Sequence, residues 1–344
     1  MSVLNLLPGP VSVEPEVAFA LAEPPVSHRC PEFLARFERA KHGLRALTGA
    51  PQVSILPGSG TLANDAVAAQ LALVEGRGLV LSNGEFGERL IDHAMRHRLS
   101  FDSLRFEWGT AFSTRALGGA VARRPAWIWA VHCETSTGMV NDLWQLAQAA
   151  EQSGALLAVD AMSSLGAIEV DLRRVDWATS ASGKALRSYP GLAIVFHRRP
   201  AAGPVAARAL DLAAWRDGAV GTTISSNLVA ALAVAVERLD SGSRFARLRA
   251  AAADLRARLL ATGLEPLLAA EQVSPAVLTC RLPPGFSAVR LGGILRDEAI
   301  WVSFESGYLM ERNWIQFCTF GEPLAAELAE LPSRIAAALP YCRG

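Results

Sequence analysis

Through the first two thirds of the chain, short apolar runs alternate with longer segments whose apolar residues recur every three or four positions. RGLVLSN (77–83), AWIWAVHC (126–133), GALLAVDA (154–161) and GLAIVFHR (191–198) have strand length and are apolar on successive residues. Runs of that kind read as strands buried on both faces. Between them, GERLIDHAMRHRL (87–99) and DLWQLAQAAEQSG (142–154) carry helical spacing, with Gly154 as a helix stop. Buried strands separated by helices predict βαβ units: an α/β fold with a mostly parallel sheet covered on both faces.

The texture changes after about residue 225. SNLVAALAVAVERLD (226–240) and RFARLRAAAADLRARLLATG (244–263) are Ala- and Leu-rich helices. Strand candidates AVLTCRL (276–282), IWVSFES (300–306) and WIQFCTF (314–320) follow, then a final helix over about 322–339. The pattern predicts an N-terminal arm over 1–25, a large α/β domain over 26–237 and a smaller α+β domain over 238–344.

Composition narrows the class. Of 344 residues, 51% are hydrophobic and 19% charged, which suits a well-buried enzyme-like body rather than a disordered chain. Lysine plus arginine equal aspartate plus glutamate at 33 each, so no basic excess is available for nucleic acid. The N-terminus MSVLNLLPGP lacks the charged start of a signal peptide. The most apolar run, 228–236, is far short of the roughly 20 residues of a membrane span. Five cysteines without a CxxC pair read as free thiols in a reducing cytoplasm.

Three polar clusters fall at ends of apolar runs, where open parallel sheets bind their ligands. In LPGSGTLANDAV (56–67) a Gly-Ser-Gly-Thr turn opens a helix, so free N–H groups and the Ser59 and Thr61 hydroxyls make an anion site. Taken alone it is equally a plain N-cap, and its spacing matches no P-loop, GxGxxG or GxSxG motif. Asp160 ends the strand ALLAVD, where a carboxylate needs a cation or turn hydrogen bonds to offset burial. In SASGKALRSYPG (180–191), Lys184 stands among small residues that let a ligand approach and leave the amine poorly solvated. Desolvation lowers a lysine pKa, as a Schiff-base nucleophile requires, although most single lysines are simply solvated. Together the three suit a phosphorylated aldehyde with a basic ring nitrogen, and pyridoxal 5'-phosphate fits.

At these residues the sequence resembles the class V, fold-type I pyridoxal-phosphate aminotransferases, which include the 2-aminoethylphosphonate–pyruvate and the serine– and alanine–glyoxylate enzymes. LLPGPVSVEPEV, SHRCPEF, LPGSGTLANDAV, SNGEFGERL, HCETSTGMVNDL, AVDAMSSLGAIEVD and SASGKALRSYPGLAIVF carry the resemblance in order. It implies that Lys184 binds the cofactor aldehyde and carries the proton between Cα and C4′, and that Asp160 holds the pyridine nitrogen protonated. It further implies that Phe86 stacks on the ring, that Ser59, Gly60 and Thr61 cradle the phosphate, and that Thr135 contacts the ring or its phenolic oxygen. Ser182 joins the cofactor-binding set, and Gly9 and Arg29 the substrate side. Thr223, in GTTISSNLVAAL, matches a threonine that reaches the neighbouring subunit's cofactor, which implies a homodimer with shared active sites. The partners implied are a small amino donor of the 2-aminoethylphosphonate, serine or alanine type and an oxo acceptor such as pyruvate or glyoxylate, with no metal, nucleic acid or membrane.

The chain also departs from the pattern. Gln316, in WIQFCTFGEP, occupies the position of the family's substrate-anion arginine, and an amide has neither the charge nor the rigid fork. Gly183 and Val220 replace polar residues near the phosphate, which predicts weaker cofactor retention. Arg312, Arg29 and Arg187 are candidates to replace the lost charge. Two other readings stay open at this level: a pyridoxal-phosphate lyase acting on an atypical amine, and a catalytically degenerate binding protein.

Overall fold

A seven-stranded sheet organises the large domain. Its strands are β1 (Gln52–Pro57), β2 (Gly78–Ser82), β3 (Phe101–Arg105), β4 (Trp127–Val131), β5 (Leu156–Asp160), β6 (Trp177–Ala181) and β7 (Leu192–His197). They lie side by side in the order β1-β7-β6-β5-β4-β2-β3. Strands β2 to β6 run parallel, whereas β7 is antiparallel to both of its neighbours, β1 and β6. The computed structural model describes residues 3–215, 220–323 and 325–343.

The four strands expected from apolar runs are all present, and β1, β3 and β6 join them. Strand β6 reads WATSA, with Thr179 and Ser180 fully inside the sheet. Buried hydroxyls in mid-sheet have no hydrophobic signature, which is why periodicity passes over this strand. Registry brings the carboxyl ends of three strands together: Val131 pairs with Asp160, and Asp160 with Thr179.

Helices α1 (Pro15–Leu21), α2 (Pro31–Thr48), α3 (Gly60–Leu71), α4 (Glu85–Arg96), α5 (Thr114–Val121), α6 (Leu143–Ser153) and α7 (Ser226–Glu237) accompany the sheet. Helix α3 packs on β6 and β7, α4 on β2, and α7 on α1 and α2. One large core joins Ile55, Leu81, Trp129, Val159 and Ile194 of the strands to Ala66, Leu90 and Leu232 of the helices.

Helix α8 (Ser241–Ala261) opens the smaller unit, with α9 (Ala288–Asp297), α10 (Gly307–Arg312) and an antiparallel sheet of β8 (Glu265–Pro266), β9 (Val277–Arg281) and β10 (Trp314–Cys318). Its separate core holds Leu255, Leu259, Leu291, Leu295 and Ile315. Leu4 and Leu6 belong to that same core: Leu4–Asn5 pairs in parallel with Ile300–Trp301, and Leu6 O accepts from Cys318 N at 2.8 Å. The first residues of the expected arm therefore add to the small unit's framework.

Two expectations are corrected here. The strand over 300–306 shrinks to Ile300–Trp301 and a single bridge from Ser303 to Gln316, because Ser306 turns the chain into α10. The final helix divides into α11 (Ala325–Ala329) and α12 (Leu331–Ala338), with Pro332 in the first turn of α12. Proline lacks the N–H a continuous helix would use and is at home only in a first turn.

Candidate active site

Because β6 and β7 are antiparallel neighbours, residues 182–191 form a loop pinned at both ends rather than a helical crossover. Ser182 Oγ donates to Tyr189 O at 2.6 Å and accepts from Leu192 N at 3.2 Å, and Ser188 N donates to Ser182 O at 3.1 Å. The Ser182 hydroxyl, expected among the cofactor contacts, is thus used in closing the loop.

Lys184 rises from this loop, half-buried. Its Nζ donates to Ser163 Oγ at 2.9 Å and stands 5.2 Å from the centroid of the Phe86 ring. Ser163 shares a short hydrogen bond with Thr135 Oγ1, so Thr135, Ser163 and Lys184 form one chain of contacts. The scarcity of bulk around the lysine has a steric cause. A Cβ on Gly9 (φ 152°) would lie 3.1 Å from Gly183 O and 3.7 Å from Lys184 Cγ. The N-terminal segment comes this close to the loop because Gly9 has no side chain, while a Cβ on Gly183 would lie 2.8 Å from Pro190 Cγ within the loop itself.

Asp160 is buried beside this chain. Its Oδ2 accepts from Asn64 Nδ2 at 2.9 Å and its Oδ1 from Met162 N at 2.9 Å. Asn64 is fixed in turn by Thr179 Oγ1, which donates to its Oδ1 at 2.7 Å. Burial pushes the Asp160 carboxyl up, against the opposing pull of the Asn64 and Met162 hydrogen bonds and the Lys184 charge. Burial likewise pushes the Lys184 amine down, with Asp160 opposing. Next to them, burial lowers His132 to about 4, so the ring is neutral, and its Nδ1 has no partner among the described residues.

Phe86 is held from below. Glu134 is fully buried, and Phe86 N and Gly87 N each donate to its Oε2 at 3.0 Å; Ser136 Oγ donates to Oε1 at 2.6 Å. A carboxylate at the start of a helix satisfies first-turn N–H groups that otherwise lack partners. Gly84 makes room for it, since a Cβ there would lie 2.4 Å from Glu134 Cδ.

These groups open on a cleft of about 410 Å³ whose walls include Ser59, Gly60, Phe86, Thr135 and Lys184. Ser59 is the N-cap of α3, and its hydroxyl makes no capping bond, so it is free on the cleft wall beside Gly60. Gly9 lines the opposite lip, and Ser306 and Tyr308 come from the small unit. Burial raises the Tyr308 phenol well above its ordinary value, so it is a donor. Thr61, Arg29 and Thr223 are exposed and do not line the cleft of their own chain.

Gln316 is fully buried and does not line the cleft either. Its Nε2 donates to Thr135 O at 2.6 Å and to Thr279 Oγ1 at 2.7 Å, and its Oε1 is unpartnered among the described residues. With both amide protons engaged, Gln316 has no donor left for a substrate anion. Arg187 is ion-paired to Glu14 at 2.9 Å, and Arg312 stacks on Trp108 with its guanidinium carbon 3.9 Å from the ring centroid. Neither of these suggested replacements lines the cleft.

Asn64, Ser163, Glu134, Tyr308 and Arg89 carry no assignment from the sequence. All but Tyr308 lie inside the quoted motifs, but a polar side chain in a motif does not reveal which way it faces. Arg89 and Tyr308 depend on how α4 and α10 are placed.

Comparison with known proteins agrees with this geometry. The class-V aminotransferase family model matches residues 19–207, more than half of the chain. A 2-aminoethylphosphonate–pyruvate transaminase of Pseudomonas aeruginosa is 35% identical over 245 residues, 66% of this chain and 66% of the relative. The chain thus spans just under two thirds of that relative's length. A second such transaminase, from Paraburkholderia xenovorans, is 34% identical over 281 residues, covering 72% of this chain and 74% of the relative. The crystal structure of an alanine–glyoxylate aminotransferase from Nostoc sp. superimposes with a TM-score of 0.90 at 28% identity, over 98% of this chain and 95% of that one. Class-V aminotransferases depend on pyridoxal phosphate and have the fold-type I architecture seen here. With its loop lysine and open helix start on one cleft and its strand-end aspartate bonded to that helix, the chain belongs to the class-V aminotransferase family.

Proposed function

We propose that this protein is a pyridoxal-phosphate aminotransferase. It would move an amino group from a small donor of the 2-aminoethylphosphonate, serine or alanine type to a 2-oxo acid or aldehyde such as pyruvate or glyoxylate. The observation that carries the proposal is the convergence of Lys184, held by Ser163, and the free start of α3 on one cleft, with the buried carboxylate of Asp160 behind it, bonded to Asn64 of the same helix.

The residues present fit the cofactor. Asp160 is a buried carboxylate held by the neutral donors Asn64 Nδ2 and Met162 N, and a protonated pyridine nitrogen would supply the missing cation. The unused Ser59 hydroxyl and the N–H groups of Gly60 and Thr61 suit a phosphate. When bound, pyridoxal phosphate supplies an aldehyde that captures amines and a ring that withdraws electrons from the adjoining carbon.

The chain's own residues would do the rest. Asp160 keeps a proton on the ring nitrogen, and Asn64 keeps Asp160 oriented. Phe86 would lie against the ring, fixed by Glu134 through the start of α4. Lys184 would hold the cofactor's aldehyde and would serve as the base that takes the donor's Cα proton and carries it between Cα and C4′. Its lowered pKa keeps a larger share of the amine neutral for both tasks. Thr135 and Ser163 orient the amine between the two.

The proposal includes a homodimer in which Thr223 reaches the partner's cofactor phosphate; its exposed place before α7, off its own cleft, supports that reading. A cytoplasmic setting is supported by five free cysteines, four of them buried. No helix among the described residues is long and apolar enough to cross a membrane.

The decisive experiment is an absorption spectrum of the purified protein with pyridoxal phosphate, before and after alanine, serine, glutamate and 2-aminoethylphosphonate. A visible band that one donor converts to the pyridoxamine spectrum supports transamination and identifies the donor. Ammonia release without that conversion would move the reaction to elimination, and absence of any band in folded protein would overturn the proposal.

A further inference from the structure

The cleft has an unusual charge balance. Among the described residues lining it, Lys184 and Arg89 are the cations, and no carboxylate lines it. Lys184 is occupied by the amine chemistry proposed above, on which this inference rests. Arg89 is left without a task in that chemistry.

Its geometry is that of an aimed group rather than a loose surface arginine. Arg89 projects from the first turns of α4, and its Nε donates to Glu85 Oε1 at 3.0 Å, which fixes one edge of the guanidinium. The guanidinium carbon stands 4.7 Å from the centroid of the Phe86 ring, the ring that Lys184 Nζ approaches at 5.2 Å. Stacking and the Glu85 contact together hold the plane in place. The Nη edge makes no hydrogen bond among the described residues. Tyr308, also on the cleft wall, lies near enough to feel the Arg89 charge. By contrast, Gln316 has both amide protons engaged, and Arg187 and Arg312 are held elsewhere.

We propose that Arg89 is the specificity-determining residue for the amino donor, its free Nη edge binding the acidic tail of the donor while the donor's amine is at the Lys184 end of the cleft. Phe86 sets the spacing, since both cations pack about its ring. Donors bearing a carboxylate, phosphonate or sulfonate are then preferred over amines of the same size without one. A fork of two N–H donors on a charged plane suits such oxyanions, and its exposure leaves it sensitive to salt.

The test compares cofactor-loaded wild type with Arg89→Gln and Arg89→Lys. Ethylphosphonate, which has the acidic tail but no amine and cannot react, is titrated calorimetrically. 2-Aminoethylphosphonate and β-alanine are compared with ethylamine and ethanolamine by the rate at which each depletes the lysine-bound cofactor band. The expected result is at least about tenfold weaker ethylphosphonate binding in Arg89→Gln, with partial recovery in Arg89→Lys. The rate ratio of acidic to uncharged donors should fall by about the same factor. Unchanged ethylphosphonate binding and an unchanged ratio would overturn the inference. So would an equal loss of pyridoxal phosphate affinity, which would place Arg89 on the cofactor instead. If wild type depletes the band with no donor yet binds ethylphosphonate through Arg89, the anion site stands and the transamination reading fails.

Discussion

Asn64 donates its side-chain amide to Asp160 Oδ2 at 2.9 Å, across 96 residues of sequence, and is held for that task by Thr179. The contact joins the start of α3, where a phosphate would sit, to the carboxylate that would meet the ring nitrogen. It also leaves Asp160 hydrogen-bonded by neutral groups alone, a poor environment for a buried charge in the cofactor-free protein.

Asp160→Asn should therefore flatten the pH dependence of the empty protein while weakening the loaded one. Burial raises the folded Asp160 pKa above its unfolded value, so the native state keeps a proton that the unfolded state gives up. Cofactor-free stability consequently falls as pH rises from the ordinary carboxylate range through the raised value. The substitution removes that slope and the ion pair to the ring nitrogen together. Thermal unfolding from pH 5 to 8 should show a flatter profile for the variant without cofactor, and titration should show at least about tenfold weaker pyridoxal phosphate binding. An unchanged pH slope would mean that Asp160 is not the group responsible.

Lys184 and Asp160 are legible in the sequence because each interrupts an expected pattern, a lysine among small residues and an acid at the end of an apolar strand. Asn64 and Thr179 are not, because their meaning is each other. WATSA has no strand-like periodicity, and its polar residues are tolerated in mid-sheet where Thr179 finds the Asn64 amide. Gln316 shows the opposite failure. Its position in a motif suggested a cleft-facing residue, whereas the β9–β10 pairing sets it against Thr279 and buries it. Similarly, the small unit's share of the cleft, Ser306 and Tyr308, depends on the packing of two cores and has no local signal.

The chain contains two lysines, Lys41 and Lys184, which makes the covalent tie easy to assign. Lys41 is buried on α2 and paired with Glu38 at 3.0 Å. Burial lowers the Lys184 pKa, so its folded form gives up a proton at lower pH than an ordinary lysine. Borohydride reduction with pyridoxal phosphate at neutral pH should attach one cofactor per chain, at Lys184, by peptide mass mapping. Lys41→Arg should leave that labelling intact and Lys184→Arg should abolish it. Equal labelling of Lys41 would contradict the lowered pKa.

Glu134 should matter through Phe86. Glu134→Ala strands the N–H groups of Phe86 and Gly87 inside the protein and opens a void beneath α4. Unpaired buried donors cost about 1–3 kcal/mol each, so a loss of roughly 2–6 kcal/mol is expected. Glu134→Gln keeps the shape and one acceptor, and should lose about 1 kcal/mol. Urea unfolding gives both numbers, and circular dichroism of the bound cofactor reports whether the ring face has loosened. A stability loss in Glu134→Ala with an undisturbed cofactor signal would separate the capping role from the positioning role.

The loop that carries Lys184 is also tied to the small unit, through Arg244. This buried arginine donates to Gly166 O at 2.7 Å and to Ala185 O and Phe320 O at 3.0 Å each, and pairs with Glu322 at 2.8 Å. Burial lowers its pKa to about 10, so it stays charged throughout the neutral range. One side chain thus joins α8, the segment after β10 and the residue next to Lys184. Arg244→Leu leaves three buried carbonyls without their donor and takes from Glu322 one of its arginines, Arg247 remaining at 3.2 Å, a change that typically costs about 3–5 kcal/mol. Arg244→Lys restores the charge but cannot reach all four partners, so it should recover only part of the loss. Thermal unfolding of the three proteins measures the stability, and pyridoxal phosphate titration at a temperature where all are folded measures the loop. If Arg244→Lys is destabilised and its cofactor affinity is also lower, Arg244 positions the lysine loop. If stability alone falls, its role is to join the two cores.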